Sequence, residues 1–578
     1  MTINPQFQGH DQFDVLQGSV SNHFARIESV LLQNECINGQ YNLITSAAYA
    51  ANCPITTPGF TKVCISTNGS IVADLENSYI EADLTYNLNF KPSGNLKNVK
   101  TQLVPTTAEK ESTLAATKYF IGFKQSLDAL ERYDIYVNST LIYSQPFVGP
   151  ESFIQLAGLN DTVRKNNPYI YTAYENAASM DQAVCGVYVD LKDIDDLSTK
   201  PIQVKIPVKI NLHQFLLLSP IHYLPSFCGR WEIQLYFGSK NLVICPVDPH
   251  AYLPCTPYSK EFLATKTEDG TKWKGFPDYF TQINCPFYVW TSGFAAPQEG
   301  ADAVWTHTWH TMTMQCQTAV LEECRVNITQ FQLRYEVYQA LMAHYIETPM
   351  IIPTNTLSYQ RFAHTSDQDH IHAVANLPVE NVDSLFVLLP ETDSQQTCFY
   401  QPYLQGVRMS LGEFGIRPQQ YMATYNDGDR VFENRRFMTY LLDALNLENS
   451  HISAMNKDFI NSIMPHAAEY VYPQGGGTVL PTPTQTFKNY LRKQYDNSHF
   501  MIGFPLSQVG FQSGTVSSPT SNINFTFDAN KIVPPGMSAK VKQEVPIIAM
   551  FLIDCELMIQ VVPNSDQPVV KLSSKSIV

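Results

Sequence analysis

The chain has 578 residues, of which 44% are hydrophobic, 12% are aromatic and 16% are charged. Its low net charge per residue and high aromatic content exclude a chain that is disordered throughout. The 38 basic and 53 acidic residues give a net charge of −15, which argues against a protein whose main task is to neutralise phosphates.

The dominant signal along the chain is an alternation of apolar and polar residues with a period of two, which predicts β-strands with one buried and one wet face. It runs from Ile80 to Phe90, then from Val204 to Leu212, where Pro207 indicates an edge position. The same pattern follows in Trp231–Phe237, at 310–320 and from Ile553 to Val561. The apolar run from Leu385 to Leu389 instead predicts a strand that is buried on both faces.

Helical periodicity is rare in this sequence. Apolar residues spaced 3.6 apart predict an amphipathic helix at about 432–447. A short helix is expected over Glu151–Leu156, with Pro150 in its first turn, and another around Leu341. Long polar connections, such as 246–278 and 465–487, separate the elements.

The strand-rich pattern occurs twice, once over about 60–320 and again from Ile351 to about Val562. We therefore predict an all-β protein with two consecutive jelly-roll sandwiches, long loop insertions and a few short helices. The expected divisions are an arm (1–25), a first roll (26–325) with a tower-like insertion at about 246–305, a second roll (326–562) and a tail (563–578).

Sequence motifs for catalysis are absent: there is no P-loop, no dinucleotide-binding glycine motif, no nucleophile elbow and no H-E-x-x-H helix. We expect no enzyme activity, no catalytic or metal-binding residues and no cofactor. No stretch is apolar enough to span a membrane, and the first residues do not resemble a signal peptide. The cysteines form no C-x-x-C pair and are expected to be reduced.

Some residues could nevertheless carry chemistry, and for each we favour an ordinary surface or core role. His307 and His310, or His370 and His372 with His364, Asp369 or Cys398 nearby, could bind zinc. The acidic cluster at 190–196 could bind calcium but has no EF-hand pattern. The basic pairs at 435–436 and 492–493, with Arg430 and Lys488, are small. The aromatic stretches at 279–280 and 287–290 could stack on sugars or bases.

Several segments resemble, in order and spacing, the double jelly-roll major capsid proteins of Polinton-like viruses, adintoviruses and virophages, in the lineage of adenovirus hexon. They are Arg132-Tyr-Asp-Ile-Tyr-Val-Asn138, Phe147–Phe153, Leu224–Phe237, Ile351–Thr354 with Gln360–Phe362, Phe386–Pro390, Met501–Leu506 with Phe511–Gly514, and Phe551–Cys555. The similarity covers about 60–560.

The resemblance implies a homotrimer whose six rolls make a pseudo-hexagonal tile of an icosahedral shell around a double-stranded DNA genome. The partners of the protein would be other copies of itself, neighbouring trimers, and penton and other minor capsid proteins. No specific nucleic-acid binding is expected, and the resemblance leaves the presence of an inner membrane open. The protein would be made in the host cytoplasm, assembled in cytoplasm or nucleus, and located in the virion. The alternatives are a carbohydrate- or receptor-binding sandwich and an enzyme built on jelly rolls.

Overall fold

The fold was determined from a computed structural model of the chain. It describes residues 42–45, 53–54, 60–65, 69–92, 118–159, 167–170, 184–191, 201–246, 281–295, 304–333, 335–362, 370–376, 382–390, 396–399, 404–411, 420–424, 441, 443–445, 501–505, 522–529, 547–563 and 567–574.

The first half of the chain supplies fifteen strands to the described residues. They are β1 (Asn42–Thr45), β2 (Cys53–Pro54), β3 (Thr61–Ile65), β4 (Ile71–Pro92), β5 (Lys118–Gly122), β6 (Leu130–Val137), β7 (Thr140–Gln145), β8 (Gly186–Asp190), β9 (Ile202–Asn211), β10 (Tyr223–Pro225), β11 (Trp231–Phe237), β12 (Val243–Pro246), β13 (Thr281–Gln282), β14 (Pro286–Ala295) and β15 (Val304–Gln332).

The second half adds nine strands within the described residues. They are β16 (Met350–Phe362), β17 (His370–Asn376), β18 (Val382–Leu388), β19 (Leu404–Leu411), β20 (Gln420–Thr424), β21 (Ile502–Pro505), β22 (Asn522–Ala529), β23 (Ile547–Gln560) and β24 (Val569–Ser574). The helices are α1 (Val148–Gly158) and α2 (Tyr335–Glu347), with short 3-10 turns at Ser126–Ala129, Leu212–Gln214 and Ser226–Cys228. Residues 441 and 443–444 are also helical.

The second set of strands is a jelly roll by its pairing. One described sheet has the order β16-β23-β18-β21 and the other has the order β17-β22-β19-β20. The first strand of the eight therefore pairs with the eighth, the second with the seventh, the third with the sixth and the fourth with the fifth. This is the pairing of a long β-ribbon folded over into two Greek keys, which defines a jelly roll.

The first set of strands has the same topology. Strand β15 lies between β4 and the short strands β1 and β2, and β9 pairs with the other edge of β4. The facing sheet has the order β3-β11-β6-β7, again the second, seventh, fourth and fifth positions of a roll. All of the recorded strand pairs are antiparallel. The predicted all-β double jelly roll is confirmed.

The long strands of the first roll extend beyond its sandwich. At about 3.3 Å per residue, the 29 residues of β15 span roughly 95 Å. Residues 304–311 of β15 pair with β14 alone among the described strands, and pairing with β4 begins at Met312, opposite Pro92. This two-stranded extension lies partly within the predicted tower segment; most of 246–305 lies outside the described residues.

The alternation in sequence has the expected physical basis. Leu84, Tyr86 and Leu88 of β4 are fully buried in the core, whereas Asp83 and Asn87 lie on the opposite face. Strand β9 pairs only with β4 among the described strands, which agrees with the edge position predicted from Pro207. All seven residues of β18 are buried, as predicted for a strand covered on both faces.

Helices α1 and α2 occur where short helices were expected, and both are longer than the sequence pattern indicated. Helix α2 joins the two rolls, because β15 ends at Gln332 and β16 begins at Met350. Its Leu341 and Tyr345 are buried in an apolar cluster that joins the core of the first roll to Ile352 of β16 and Leu557 of β23. The predicted division of the chain after residue 325 stays a prediction. Nine of the described cysteines, all except Cys53 of β2, take part in no disulfide bond.

Candidate functional site: the seam between the two rolls

Helix α1 of the first roll packs on the outer face of a sheet of the second roll. Its residues Phe153, Ile154, Leu156 and Ala157 form one apolar cluster with side chains of the second roll. The second-roll members are Leu357, Phe386, Leu388, Phe399, Leu441, Ala444, Met501, Ile548 and Met550. We call this contact, with the polar ties described below, the seam. It accounts for the burial of one face of β18, which carries Phe386 and Leu388.

Two aromatic pairs connect the rolls across the seam. The ring of Phe153 meets that of Phe399 at a centroid distance of 4.8 Å and an interplanar angle of 77°. The ring of Phe147 meets that of Tyr359 at 4.2 Å and 71°. Edge-to-face pairs of this kind contribute about 0.5–1.5 kcal/mol each beyond the area that they bury.

Gly149 allows α1 to approach the second roll closely. A Cβ atom at this position would lie 2.6 Å from Cβ and 2.7 Å from the carbonyl oxygen of Gln396. Both distances are shorter than atoms in contact tolerate, and the carbonyl oxygen belongs to the backbone. A side chain at residue 149 would therefore force the first turn of α1 away from the 396–399 segment.

Polar groups also tie the rolls together. The ammonium of Lys124, only 2% exposed, donates a hydrogen bond to the carbonyl oxygen of Thr397 at 2.6 Å. The amide oxygen of Gln282 accepts hydrogen bonds from the backbone N–H groups of Gln396 and Thr397, at 2.8 and 3.2 Å. These bonds satisfy main-chain groups of the second roll that would otherwise be buried without partners.

The edge of β16 that pairs with no other described strand is covered in the same way. Its residue Leu357 donates its backbone N–H to the Tyr143 hydroxyl at 3.3 Å, and the Thr354 hydroxyl donates to the carbonyl oxygen of Leu217 at 3.1 Å. An exposed strand edge invites unwanted pairing with other chains. The seam therefore protects this edge of the second roll.

One residue of α1, Glu151, has a carboxylate that is buried away from solvent. Glu151 is 0% exposed; its Oε1 lies 2.9 Å from the Tyr133 hydroxyl and accepts hydrogen bonds from the Gln155 amide at 3.0 Å and the Leu216 backbone N–H at 3.3 Å. Burial raises the pKa of Glu151 from 4.5 to about 7, and hydrogen bonds to the carboxylate oppose that rise.

A second buried carboxylate, that of Asp128 in the 3-10 turn Ser126–Ala129, lies next to α1. It accepts hydrogen bonds from the Ser152 hydroxyl and from the backbone N–H of Gln125, the latter at 3.2 Å. Burial raises the pKa of Asp128 from 3.8 to about 6, while the Ser152 hydrogen bond and the charge of Lys124 act in the opposite direction. With 3% of Asp128 exposed and none of Glu151, the two carboxylates are placed to hold α1 rather than to meet a substrate.

The histidines singled out in the sequence lie on strands. His370 and His372 belong to β17 and have Asp528 and Thr526 as register partners. His307 and His310 belong to β15 and have Ser292 and Val289 of β14 as register partners. Cys398 is buried next to the seam. The absence of a metal or catalytic site stays a prediction.

Other candidate residues are only partly described. Asp190 is the last residue of β8, and 287–290 lie in β14. His364, Asp369, the rest of the acidic cluster, the aromatic pair 279–280 and all the basic residues at 430, 435–436, 488 and 492–493 lie outside the described residues, as does most of the predicted helix 432–447. Within the described residues, no three acidic, histidine or cysteine side chains are grouped as metal ligands, and no helix is long and apolar enough to cross a membrane.

Sequence reasoning did not single out the residues of the seam. The signals for α1 were the short helix expected over Glu151–Leu156 and the resemblance of Phe147–Phe153, and nothing local indicates that Gly149, Lys124 or Gln282 contacts the second half of the chain. Such contacts join residues more than 100 positions apart.

No family model matches the chain, and no curated protein matches it. Among solved structures, it is similar to one of the Sputnik virophage, with 9% identity, a TM-score of 0.46, and coverage of 94% of this chain and 90% of that chain. A second is the mavirus major capsid protein, with 11% identity, a TM-score of 0.42, and coverage of 92% and 90%. A third is the Faustovirus major capsid protein, with 9% identity, a TM-score of 0.36, and coverage of 90% of each chain. The double jelly-roll assignment itself rests on the strand pairing described above.

Proposed function

We propose that the protein is a viral major capsid protein that works by self-assembly. The observation that carries the proposal is that two jelly rolls of one chain are fused through a buried seam. The order and spacing of the motifs that resemble double jelly-roll capsid proteins, Arg132–Asn138 and Leu224–Phe237 among them, add support.

A rigid pair of rolls suits the building of a hexagonal tile. Three copies related by a threefold axis place six rolls around the centre, and a cyclic trimer closes its own heterologous contacts. The seam matters for this geometry, because a hinge between the rolls would let the outline of the tile vary from copy to copy. In this proposal the trimers pave an icosahedral shell around a double-stranded DNA genome.

The proposal extends to partners and location. The shell would bring the protein into contact with neighbouring trimers and with penton and other minor capsid proteins. The net charge of −15 disfavours tight direct binding to the genome. The protein would be located in the virion, after synthesis in the host cytoplasm and assembly in cytoplasm or nucleus, and it would carry out no catalytic step.

The test is the mass and shape of the purified full chain. Size-exclusion chromatography with light scattering is expected to give three times the 65.2 kDa of one chain. Negative-stain electron microscopy is expected to show particles with a hexagonal outline. A monomer at all concentrations, or a ring of different symmetry, would refute the proposal.

A further inference from the structure

The outer face of the sheet β3-β11-β6-β7 presents cations and aromatic rings on a protein that is acidic overall. Register places these residues in adjacent rows of one face: Tyr236 pairs with Arg132, Gln234 with Lys62, and Glu232 with both Tyr136 and Cys64. We call this surface the basic face, and it comprises Phe60, Lys62, Arg132, Tyr136, Leu141, Arg230 and Tyr236.

The charges of the basic face are layered, with cations outside and carboxylates beneath. The side chain of Arg132 is 45% exposed and its partner Asp134 only 1%, while Arg230 is 59% exposed and its partner Glu232 only 6%. Lys62 also pairs with Glu232. A partner approaching this face meets the positive groups first, because the negative groups lie behind them.

The guanidinium of Arg132 is fixed in place by its neighbours and still has N–H groups that can bind a ligand. Its Nε and Nη2 donate to the two carboxylate oxygens of Asp134, at 3.0 and 2.8 Å, and its guanidinium lies over the ring of Tyr236 at 5.0 Å. A guanidinium has five N–H groups, so this pairing leaves three for a partner. Little side-chain entropy remains to be lost when the fixed group binds a carboxylate.

Apolar groups on the same face are exposed to solvent. Leu141 is 49% exposed and pairs in register with Tyr136, and Phe60, 40% exposed, contacts the Tyr236 ring at 5.7 Å. Arginine, tyrosine and other aromatic residues are enriched where proteins bind one another. Four strands spaced about 4.8 Å apart, each about five residues long at about 3.3 Å per residue, give a surface of roughly 300 Å². That area is enough for the centre of an interface but not for a whole interface.

We infer that the basic face docks against an acidic surface of a second copy of this chain. The inference rests on the proposed self-assembly and names one surface through which it would occur. Charge complementarity supports it, since each copy carries a net charge of −15. Nucleic acid suits the face less well, because three cations above two carboxylates leave an excess of about one positive charge, too little for a run of phosphates.

A pair of substitutions at one exposed position tests the inference. Leu141→Glu adds a negative charge to the face and Leu141→Lys adds a positive one, with similar loss of apolar surface. We expect Leu141→Glu to raise the concentration for self-association at least about tenfold at low salt, and Leu141→Lys to leave it unchanged or lower it. Tyr335→Glu, at a position 66% exposed on α2, is the control and should behave like the wild type.

Sedimentation velocity of the full chain over a concentration series, in about 50 mM and about 500 mM salt, gives the readout, and thermal melting checks that the variants fold. Equal behaviour of the two Leu141 variants would overturn the inference while leaving the proposed function standing. Failure of the wild type to self-associate would refute the proposed function as well. Salt-dependent binding of a duplex DNA probe that Leu141→Glu abolishes, without any change in self-association, would assign the face to nucleic acid and also overturn the inference.

Discussion

The hydroxyl of Tyr133 lies 2.9 Å from one carboxylate oxygen of Glu151 and 3.0 Å from the other, inside the protein. Tyr133 belongs to β6 and Glu151 to α1, so this contact fixes α1, the helix that packs against the second roll, to the first-roll sheet that contains β6. Because the carboxylate is buried without a cation among its described hydrogen-bond partners, it prefers to keep its proton.

This preference predicts a pH dependence of stability. A carboxyl group whose pKa rises from 4.5 to about 7 on folding holds its proton more tightly in the folded state. The free energy of unfolding therefore falls as the pH rises from about 4.5 to about 7, by roughly 3 kcal/mol at most, and then levels off. Glu151→Gln should remove this part of the dependence.

The measurement is the melting temperature of wild type and variant across pH 4.5–8. Asp128 contributes with the same sign between pH 3.8 and about 6, but it is present in both proteins and cancels in the difference. If the difference in melting temperature between wild type and variant stays constant over the whole pH range, Glu151 is not the group responsible.

Gly149→Ala should loosen the seam. The new methyl group would meet the backbone of Gln396, so α1 or the 396–399 segment must shift, at a cost of about 1–3 kcal/mol. Gly158→Ala at the other end of the same helix is the matched control, since nothing lies within 4 Å of its Cβ position. We expect faster hydrogen exchange in α1 for Gly149→Ala only; equal exchange in both variants would disprove the close approach.

Lys124→Met should destabilise the protein by about 1–3 kcal/mol, because the carbonyl oxygen of Thr397 loses a buried, charged donor. Lys205→Met is the control. Lys205 bridges Asp83 and Glu322 at 3.2 and 2.7 Å, but its side chain is 55% exposed, so water screens both pairs and their loss should cost less than that of the buried Lys124 bond. Urea unfolding of both variants measures the difference, and a larger loss for Lys205→Met would count against the role given to Lys124.

Aspartate at a buried position of either roll should prevent that roll from folding. Leu84 and Leu557 are both 0% exposed, and an unpaired charge there costs several kcal/mol. Val569→Asp, at a position 53% exposed, should fold normally. Circular dichroism and limited proteolysis of the three variants test this, and a folded Leu84→Asp or Leu557→Asp variant would argue against the cores described here.

Sequence periodicity predicted much of the fold because it reports a local property. The side chains of a strand alternate between two faces, so the run Ile80–Phe90 shows which residues of β4 enter the core without reference to any other part of the chain. Pro207 indicated an edge strand for the same reason: it lacks the N–H that a second neighbour would need. The doubled pattern then predicted two rolls.

The seam could not be predicted in this way, since it depends on which distant residues meet. Nothing in the surroundings of Gly149 indicates that Gln396 will lie against it, and nothing near Lys124 indicates that its acceptor will be Thr397. The basic face was equally hidden, because Lys62, Arg132 and Arg230 come from separate segments and become neighbours only through strand pairing. By itself the sequence determined the strands, their buried faces and their doubling, which are set by the period of the backbone. Only the tertiary structure decided how the rolls join and which charges gather on one surface, because long-range packing sets both.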